Sequence, residues 1–205
     1  HCGMITINGE KMSKSLGNFF TIREVLEKYH PEVVRYLLIA SHYRSPINYS
    51  EDNLRESKAA LERFYNALKG LPEAEPAAAD EFVARFSAAM DDDFNTASAC
   101  SVLFELAREV NRLRDSDIQA AAALAARLKS LAALLGVLQL EPEAFLQADA
   151  AGRVDAAAVE ALIEARLAAR AAKDWAASDQ IRDQLSAMGV LLEDAKGVTT
   201  WRLAD

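Results

Sequence analysis

Two lysines three positions apart, Lys11 and Lys14, stand out as residues that could do chemistry. They share a short stretch with Ser13 and Ser15, between an alternating apolar run at 4–7 and a helical pattern that begins near residue 22. Ammonium groups act as point charges toward phosphate oxygens, and a loop rich in Ser and Gly leaves backbone N–H groups available to the same oxygens. The spacing therefore predicts a cationic loop that binds a polyphosphate; on spacing alone, the alternative is a solvated surface turn.

The residue identities in this stretch are a more specific indication of function than the spacing of its lysines. Residues 11–15 read Lys-Met-Ser-Lys-Ser, which resembles the second signature of class I aminoacyl-tRNA synthetases at every position. The flanks, Gly-Glu at 9–10 and Leu-Gly-Asn-Phe-Phe-Thr at 16–21, are similar to those of cysteinyl-tRNA synthetases.

This resemblance implies a role for the loop, referred to below as the signature loop. In that family the loop closes over ATP and Mg²⁺ while the carboxylate of cysteine attacks the α-phosphate. Lys14 first, and Lys11 second, are then expected to stabilise the charge that builds on the departing pyrophosphate, as preorganised cations do in phosphoryl chemistry. Ser13 and Ser15 are expected to bind ATP with them. The resemblance also implies a zinc ion, held by residues upstream of this chain.

Length and composition limit the number of domains and the cellular location that the sequence predicts. The chain has 205 residues with 51% hydrophobic content, which is enough for one or two domains with substantial cores. The sequence shows no apolar run of membrane-spanning length and no signal peptide, so a cytoplasmic location is expected. Cys2 and Cys100 are too far apart in sequence to suggest a metal site. We expect a monomer.

Charge is distributed unevenly. The net charge is −8, but residues 1–70 hold 10 Lys and Arg against 8 Asp and Glu, whereas residues 71–205 hold 13 against 23. The basic half is the one that carries the signature loop. Elsewhere bulk attraction to nucleic acid is absent, and RNA contact must come from locally placed Arg and aromatic side chains.

A polar, aromatic and basic stretch at 40–50 is the first candidate for such contact. His42, Tyr43 and Arg44 could meet a sugar–phosphate backbone through stacking and hydrogen bonds. The alternative is a surface loop with Tyr43 packed inward. The resemblance implies contact with tRNA here and favours Arg44 over His42.

The middle of the chain predicts an antiparallel helical bundle. Ser50 is placed to cap a helix running to about Leu68, and three further amphipathic patterns follow by residue 139. Asp91, Asp92 and Asp93 raise the possibility of a metal, but capping of the next helix by Asp93 or Asn95 is the favoured interpretation.

The last segment predicts two helices, at about 156–173 and 174–188, followed by a hairpin. Trp175 lies about 120° from the apolar stripe of its helix, near Asp179 and with Arg170 just upstream. This arrangement predicts a stacking platform for a base; packing of Trp175 against the domain core is the alternative. The pattern over 162–202 resembles the anticodon-binding segment of bacterial cysteinyl-tRNA synthetases, and this implies that Asp194 also contacts tRNA.

Together these patterns predict a mainly α chain with four parts: the end of a catalytic domain at 1–50, the bundle at 51–140, a linker at 141–157, and a small α+β anticodon-binding domain at 158–205. Because the chain starts inside a strand pattern and without Met, we expect the C-terminal half of a longer enzyme, inactive alone. Two alternatives are open: a ligase that passes adenylated cysteine to a small amine, and a freestanding tRNA-binding module. The C-terminal segment, with Trp175 and Trp201, argues against the first.

Overall fold

A computed structural model describes residues 1–13, 15, 17–18, 21–147, 156–195 and 198–203; only the backbone is described for 80, 156–157, 193–195, 198 and 202–203. The chain divides into two compact units, residues 1–142 and 143–205. The described part contains nine helices and five short strands, which confirms the predicted mainly α fold.

The first unit begins with a small sheet. Strand β1 (Ile5–Ile7) pairs antiparallel with β2 (Glu10–Lys11) and parallel with β3 (Ile47–Tyr49). Between β1 and β2, Asn8 and Gly9 have φ values of 49° and 83°. A two-residue hairpin turn of this kind requires positive φ at both positions, and Asn-Gly is the pair that adopts it most readily.

Two short helices lie between β1–β2 and β3. Helix α1 (Ile22–Leu26) starts at a capping box in which Thr21 and Glu24 bond reciprocally. Helix α2 (Pro31–Ile39) has its proline in the first turn, where the missing N–H costs nothing.

The four predicted bundle helices are present. They are α3 (Glu51–Leu68), α4 (Asp80–Asp91), α5 (Thr96–Leu113) and α6 (Ile118–Leu134). Ser50 caps α3 by accepting from the backbone N–H of Asn53, as predicted. The bundle core consists of large apolar side chains with almost no exposure, among them Leu54, Leu61, Phe64, Leu103, Leu106, Val110 and Leu128. Each contributes about 1.5–3 kcal/mol of burial free energy.

A buried carboxylate joins α2 to the bundle. Glu32 accepts hydrogen bonds from the hydroxyl of Tyr65 at 2.8 Å and from the backbone N–H groups of Leu138 at 3.2 Å and Gln139 at 2.9 Å. Tyr65 in turn accepts from the N–H of Leu140. Every described partner of the Glu32 carboxylate is 33 or more residues away in sequence, so this network is tertiary structure rather than local capping.

The second unit has its own core. Helices α8 (Ala156–Ala171) and α9 (Trp175–Ala187) pack with an antiparallel hairpin of β4 (Val190–Ala195) and β5 (Val198–Leu203). Five side chains are buried together: Val159, Ile163, Leu185, Val190 and Trp201. The apolar stripe from which Trp175 is displaced consists of Ile181, Leu185 and Met188, and it faces this core.

The stretch at 141–157 contains structure where a linker was expected. Helix α7 (Pro142–Leu146) forms there, with Phe145 buried. The first-turn proline and the apolar Phe145 account for this helix. Residues 148–155 lie outside the described part of the chain.

Candidate functional site

The signature loop follows directly from β2, whose last residue is Lys11. The side chain of Asn18 bridges the two ends of the loop: its Oδ1 accepts from the N–H of Ser13 at 2.8 Å, and its Nδ2 donates to the carbonyl of Lys11 at 3.2 Å. Within the loop the hydroxyls of Ser13 and Ser15 are 2.6 Å apart, and the N–H of Ser15 donates to Oγ of Ser13. One amide side chain therefore closes the turn that carries the predicted phosphate ligands.

Three of the four predicted ATP ligands fall on described positions. Lys11 and Ser15 are exposed, Ser13 is half-buried, and Lys11 makes no ion pair with any residue in the described ranges. Lys14, the leading catalytic candidate, lies outside the described residues. The described part of the loop thus holds one exposed cationic side chain and two hydroxyls, groups that suit phosphate oxygens.

The sheet holds the hairpin that leads into the loop. Asn48 on β3 accepts at Oδ1 from the N–H of Gly9 at 2.8 Å and from the hydroxyl of Thr6 at 3.2 Å. Asn53, in the first turn of α3, donates to the carbonyl of Asn48 at 2.8 Å. A continuous set of hydrogen bonds therefore runs from the start of the bundle to the turn that precedes Lys11.

The three predicted tRNA-contacting residues of the 40–46 loop lie together. The rings of His42 and Tyr43 stack with centroids 4.9 Å apart, and the guanidinium carbon of Arg44 lies 5.2 Å from the centroid of Tyr43. Arg44 is exposed, and the other two are half-buried.

Asp93 organises this group from the turn between α4 and α5. Its carboxylate accepts from the hydroxyl of Tyr43 at 2.7 Å and from Nε and Nη2 of Arg44 at 2.7 and 3.3 Å. The Arg44 and Tyr43 hydrogen bonds hold the pKa of the Asp93 carboxyl below its usual range, while Asp93 raises the pKa of Arg44 and of Tyr43. Since Asn95, which accepts from the N–H of Ser98, caps α5, Asp93 is not the cap.

The C-terminal candidates lie around the turn between α8 and α9. Trp175 is the first residue of α9 and is 61% exposed, as its position off the apolar stripe predicts. Arg170 is exposed in the last turn of α8, and its carbonyl accepts from the N–H of Lys173. Asp179 forms an exposed ion pair with Arg182 at 3.1 Å. The side chain of Asp194 lies outside the described residues.

Trp201 was predicted as part of the C-terminal hairpin and of the segment that resembles an anticodon-binding domain, without a contact of its own. The structure buries it at 3% exposure, and its indole N–H donates to Glu160 at 2.8 Å. Alternation along β5 was the available signal, since it places Trp201 on one face of the strand with Thr199.

Among the described residues, no group of three or more His, Cys, Asp and Glu side chains could hold a metal ion. Cys100 is buried, and this burial raises the pKa of its thiol to about 11. None of the described helices is both long enough and apolar enough to cross a membrane.

Three family models match successive parts of the chain. Residues 1–59 match the class I (C) catalytic domain of tRNA synthetases, 85–139 match the DALR domain, and 156–202 match the cysteinyl-tRNA ligase anticodon-binding domain.

Curated relatives match the chain over its whole length. It is 86% identical to the cysteine–tRNA ligase of Pseudomonas aeruginosa (strain LESB58) and 87% identical to that of Pseudomonas paraeruginosa (strain DSM 24068 / PA7), covering 45% of each. It is 80% identical to the cysteine–tRNA ligase of Azotobacter vinelandii, covering 44%. The chain therefore spans less than half the length of these relatives.

Among solved structures, the chain is similar to the ternary complex of Agrobacterium radiobacter K84 agnB2 LeuRS-tRNA-LeuAMS. The TM-score is 0.50 at 21% identity, over 69% of this chain and 23% of that one. At this identity the likeness concerns the fold alone. The three family models and the full-length identity together show that the chain belongs to the cysteinyl-tRNA synthetase family and corresponds to the C-terminal part of its members.

Proposed function

We propose that the chain is the part of a cysteine–tRNA ligase that supplies the signature loop, a tRNA-contacting loop and the anticodon-binding domain. The observation that carries this proposal is the 86% identity to cysteine–tRNA ligase over all 205 residues. The parent enzyme joins cysteine to AMP from ATP, releases pyrophosphate and transfers cysteine to the cysteine tRNA. The chain alone is catalytically inactive, and it acts as a monomer in the cytoplasm.

In this proposal the signature loop binds the phosphates of ATP, which carries Mg²⁺. Lys14 and Lys11 stabilise the charge on the departing pyrophosphate, and Ser13 and Ser15 donate hydrogen bonds to its oxygens. The closure of the loop by Asn18 and the absence of an ion pair at Lys11 among described residues support this role. The described residues do not fit a zinc site, and no step assigned to them involves zinc.

The tRNA is contacted at two places. Arg44, with Tyr43 and His42, meets the sugar–phosphate backbone, while Trp175, with Arg170, Asp179 and Asp194, reads the anticodon. The exposure of Trp175 and the match of 156–202 to the anticodon-binding model support the second contact. We also propose that the chain has four functional parts, with boundaries after residues 50, 140 and 157.

The experiment that tests this function is a fluorescence titration of the 205-residue chain with cysteine tRNA and with the same tRNA carrying one changed anticodon base. We expect selective loss of binding to the altered tRNA. The Trp175→Ala variant should bind cysteine tRNA more weakly by about 1–3 kcal/mol, the usual contribution of one stacked base.

Lys173→Ala is the matched control, because it alters a neighbouring exposed residue in the same turn without removing an aromatic ring. Equal affinity for both tRNAs would contradict anticodon reading, and an unchanged affinity of Trp175→Ala would remove Trp175 from the site.

A further inference from the structure

Hydrogen bonds join the 41–44 loop to the turn at 92–96. Besides the Asp93 contacts, the hydroxyl of Thr96 donates to the carbonyl of Ser41 at 3.4 Å. We refer to His42, Tyr43, Arg44, Asp93 and Phe94 as the loop–turn patch. Its members come from sequence segments about 50 residues apart, so the fold rather than the local sequence creates it.

Asp93 fixes the guanidinium of Arg44 in one orientation. Nε and Nη2 both donate to the carboxylate, whereas Nη1 makes no hydrogen bond to any residue that the structure describes. A guanidinium held along one edge loses little further side-chain entropy when its other edge meets a phosphate. The hydroxyl of Tyr43 donates to the same carboxylate, so Asp93 sets the ring and the cation together.

Phe94 directly follows Asp93 in the chain and is exposed. Its side chain is 66% exposed, and both Phe94 and Asp93 have φ values of 53°. A left-handed backbone at two successive residues other than glycine carries a conformational cost. An exposed aromatic ring next to an arginine is the arrangement that single-stranded RNA uses for base stacking.

The surrounding charges argue against a site for phosphate alone. Asp91, the last residue of α4, and Asp92 are exposed next to the patch in sequence, so its surroundings carry more acidic than basic groups. Binding there must rely on stacking together with one oriented donor edge, rather than on summed positive charge. This combination suits an unpaired nucleotide, which offers a base and a single phosphate.

We propose that the loop–turn patch binds an unpaired nucleotide of the tRNA, with Phe94 stacking on its base, Arg44 donating to its phosphate, and Asp93 acting as the positioning residue for Arg44. This inference rests on the proposed function, because it takes tRNA as the partner. It adds Asp93 and Phe94, from the helical bundle, to the tRNA-binding surface.

The test compares two substitutions that remove the same charge from neighbouring positions. Asp91→Asn and Asp93→Asn each remove one negative charge, and Asn tolerates the left-handed backbone of position 93. If charge alone mattered, both variants would bind tRNA slightly more tightly. If Asp93 positions Arg44, Asp93→Asn binds more weakly, by roughly three- to ten-fold, while Asp91→Asn does not.

A double-mutant cycle separates positioning from a general structural role. In an Arg44→Ala background, Asp93→Asn should cause no further loss, because its effect acts through Arg44. Phe94→Ala should weaken binding by about five-fold or more, with thermal unfolding of the free chain unchanged.

Titrations use the 205-residue chain and a cysteine tRNA transcript at fixed salt. If wild type binds and Asp91→Asn and Asp93→Asn change affinity equally, or Phe94→Ala binds as wild type does, the inference is wrong while the proposed function stands. If wild type binds no tRNA, the tRNA-binding part of the proposed function fails, and the inference fails with it.

Discussion

Lys11 and Lys14 carry the chemistry that we assign to this chain. Of the two, only Lys11 lies among the residues that the structure describes. Lys11 ends a strand and its backbone carbonyl is held by Asn18, so its position along the loop is fixed by the hairpin. An exposed ammonium of this kind is hydrated in the free protein and gains most of its interaction free energy only when a phosphate displaces water.

We expect Lys14→Ala in the full-length ligase to slow adenylate formation by several kcal/mol of activation free energy, because a preorganised cation is lost from the developing pyrophosphate. ATP–pyrophosphate exchange measures this directly. Lys28→Ala is the control, since it removes an equal charge from an exposed position near the end of α1. An exchange rate equal to that of wild type would contradict the assignment of Lys14.

Residue types along the sequence predicted local roles well and tertiary roles poorly. Ser50 and Asn95 cap helices as expected, because a cap depends on neighbours within three residues. Asp93 had the same sequence signal, but its partners are Tyr43 and Arg44, about 50 residues upstream. Nothing in one sequence distinguishes a capping aspartate from one that crosses to another segment.

At the level of elements, the buried Glu32 joins α2 to α3 and to the segment that follows α6. Glu32→Ala would remove the carboxylate that accepts from the buried N–H of Leu138, from the N–H of Gln139 and from the hydroxyl of Tyr65. We expect a loss of about 2–4 kcal/mol in the free energy of unfolding, because several polar groups lose their partner at once.

Urea unfolding followed by circular dichroism measures this loss. Glu27→Ala is the control, because Glu27 is exposed at the end of α1 and should change stability by less than about 0.5 kcal/mol. Equal stabilities of the two variants would show that the Glu32 network contributes nothing net to folding.

Element types were more predictable than their connections. The bundle helices follow from apolar periodicity, and the exposure of Trp175 follows from its angle to the stripe of α9. The β1–β2 hairpin was not predicted, although Asn8-Gly9 is a recognised turn signal, because β2 is only two residues long. The parallel pairing of β1 with β3 had no local signal, since the strands are 42 residues apart.

For the whole molecule, charge limits how the chain can bind RNA. The net charge is −8, and the basic excess is confined to residues 1–70. We expect few phosphates to be neutralised, so a plot of log Kd against log salt between 50 and 200 mM should have a slope of about 3 or less in magnitude, since each neutralised phosphate contributes about 0.7–0.9.

A titration series with cysteine tRNA at four salt concentrations measures this slope. Arg44→Ala should lower the magnitude of the slope by about 0.7–0.9, the contribution of one neutralised phosphate. Arg55→Ala, which alters an exposed arginine paired with Asp52, should leave the slope unchanged. A slope near 6 or more would mean that many more cations meet the tRNA than we propose.

The support of the hairpin by Asn48 also has a consequence for the order in which this region folds. Helices α1 and α2 lie between the Asn8-Gly9 turn and Asn48 in the sequence, so both are synthesised before Asn48 can accept from the turn. Asn53 must then follow to donate to the carbonyl of Asn48. Contacts between residues about 40 positions apart form late, because a long stretch of chain must first be brought together. On the ribosome, the segment that leads into the signature loop therefore emerges before β3 and α3 but acquires its final shape only after the first turn of α3 is available.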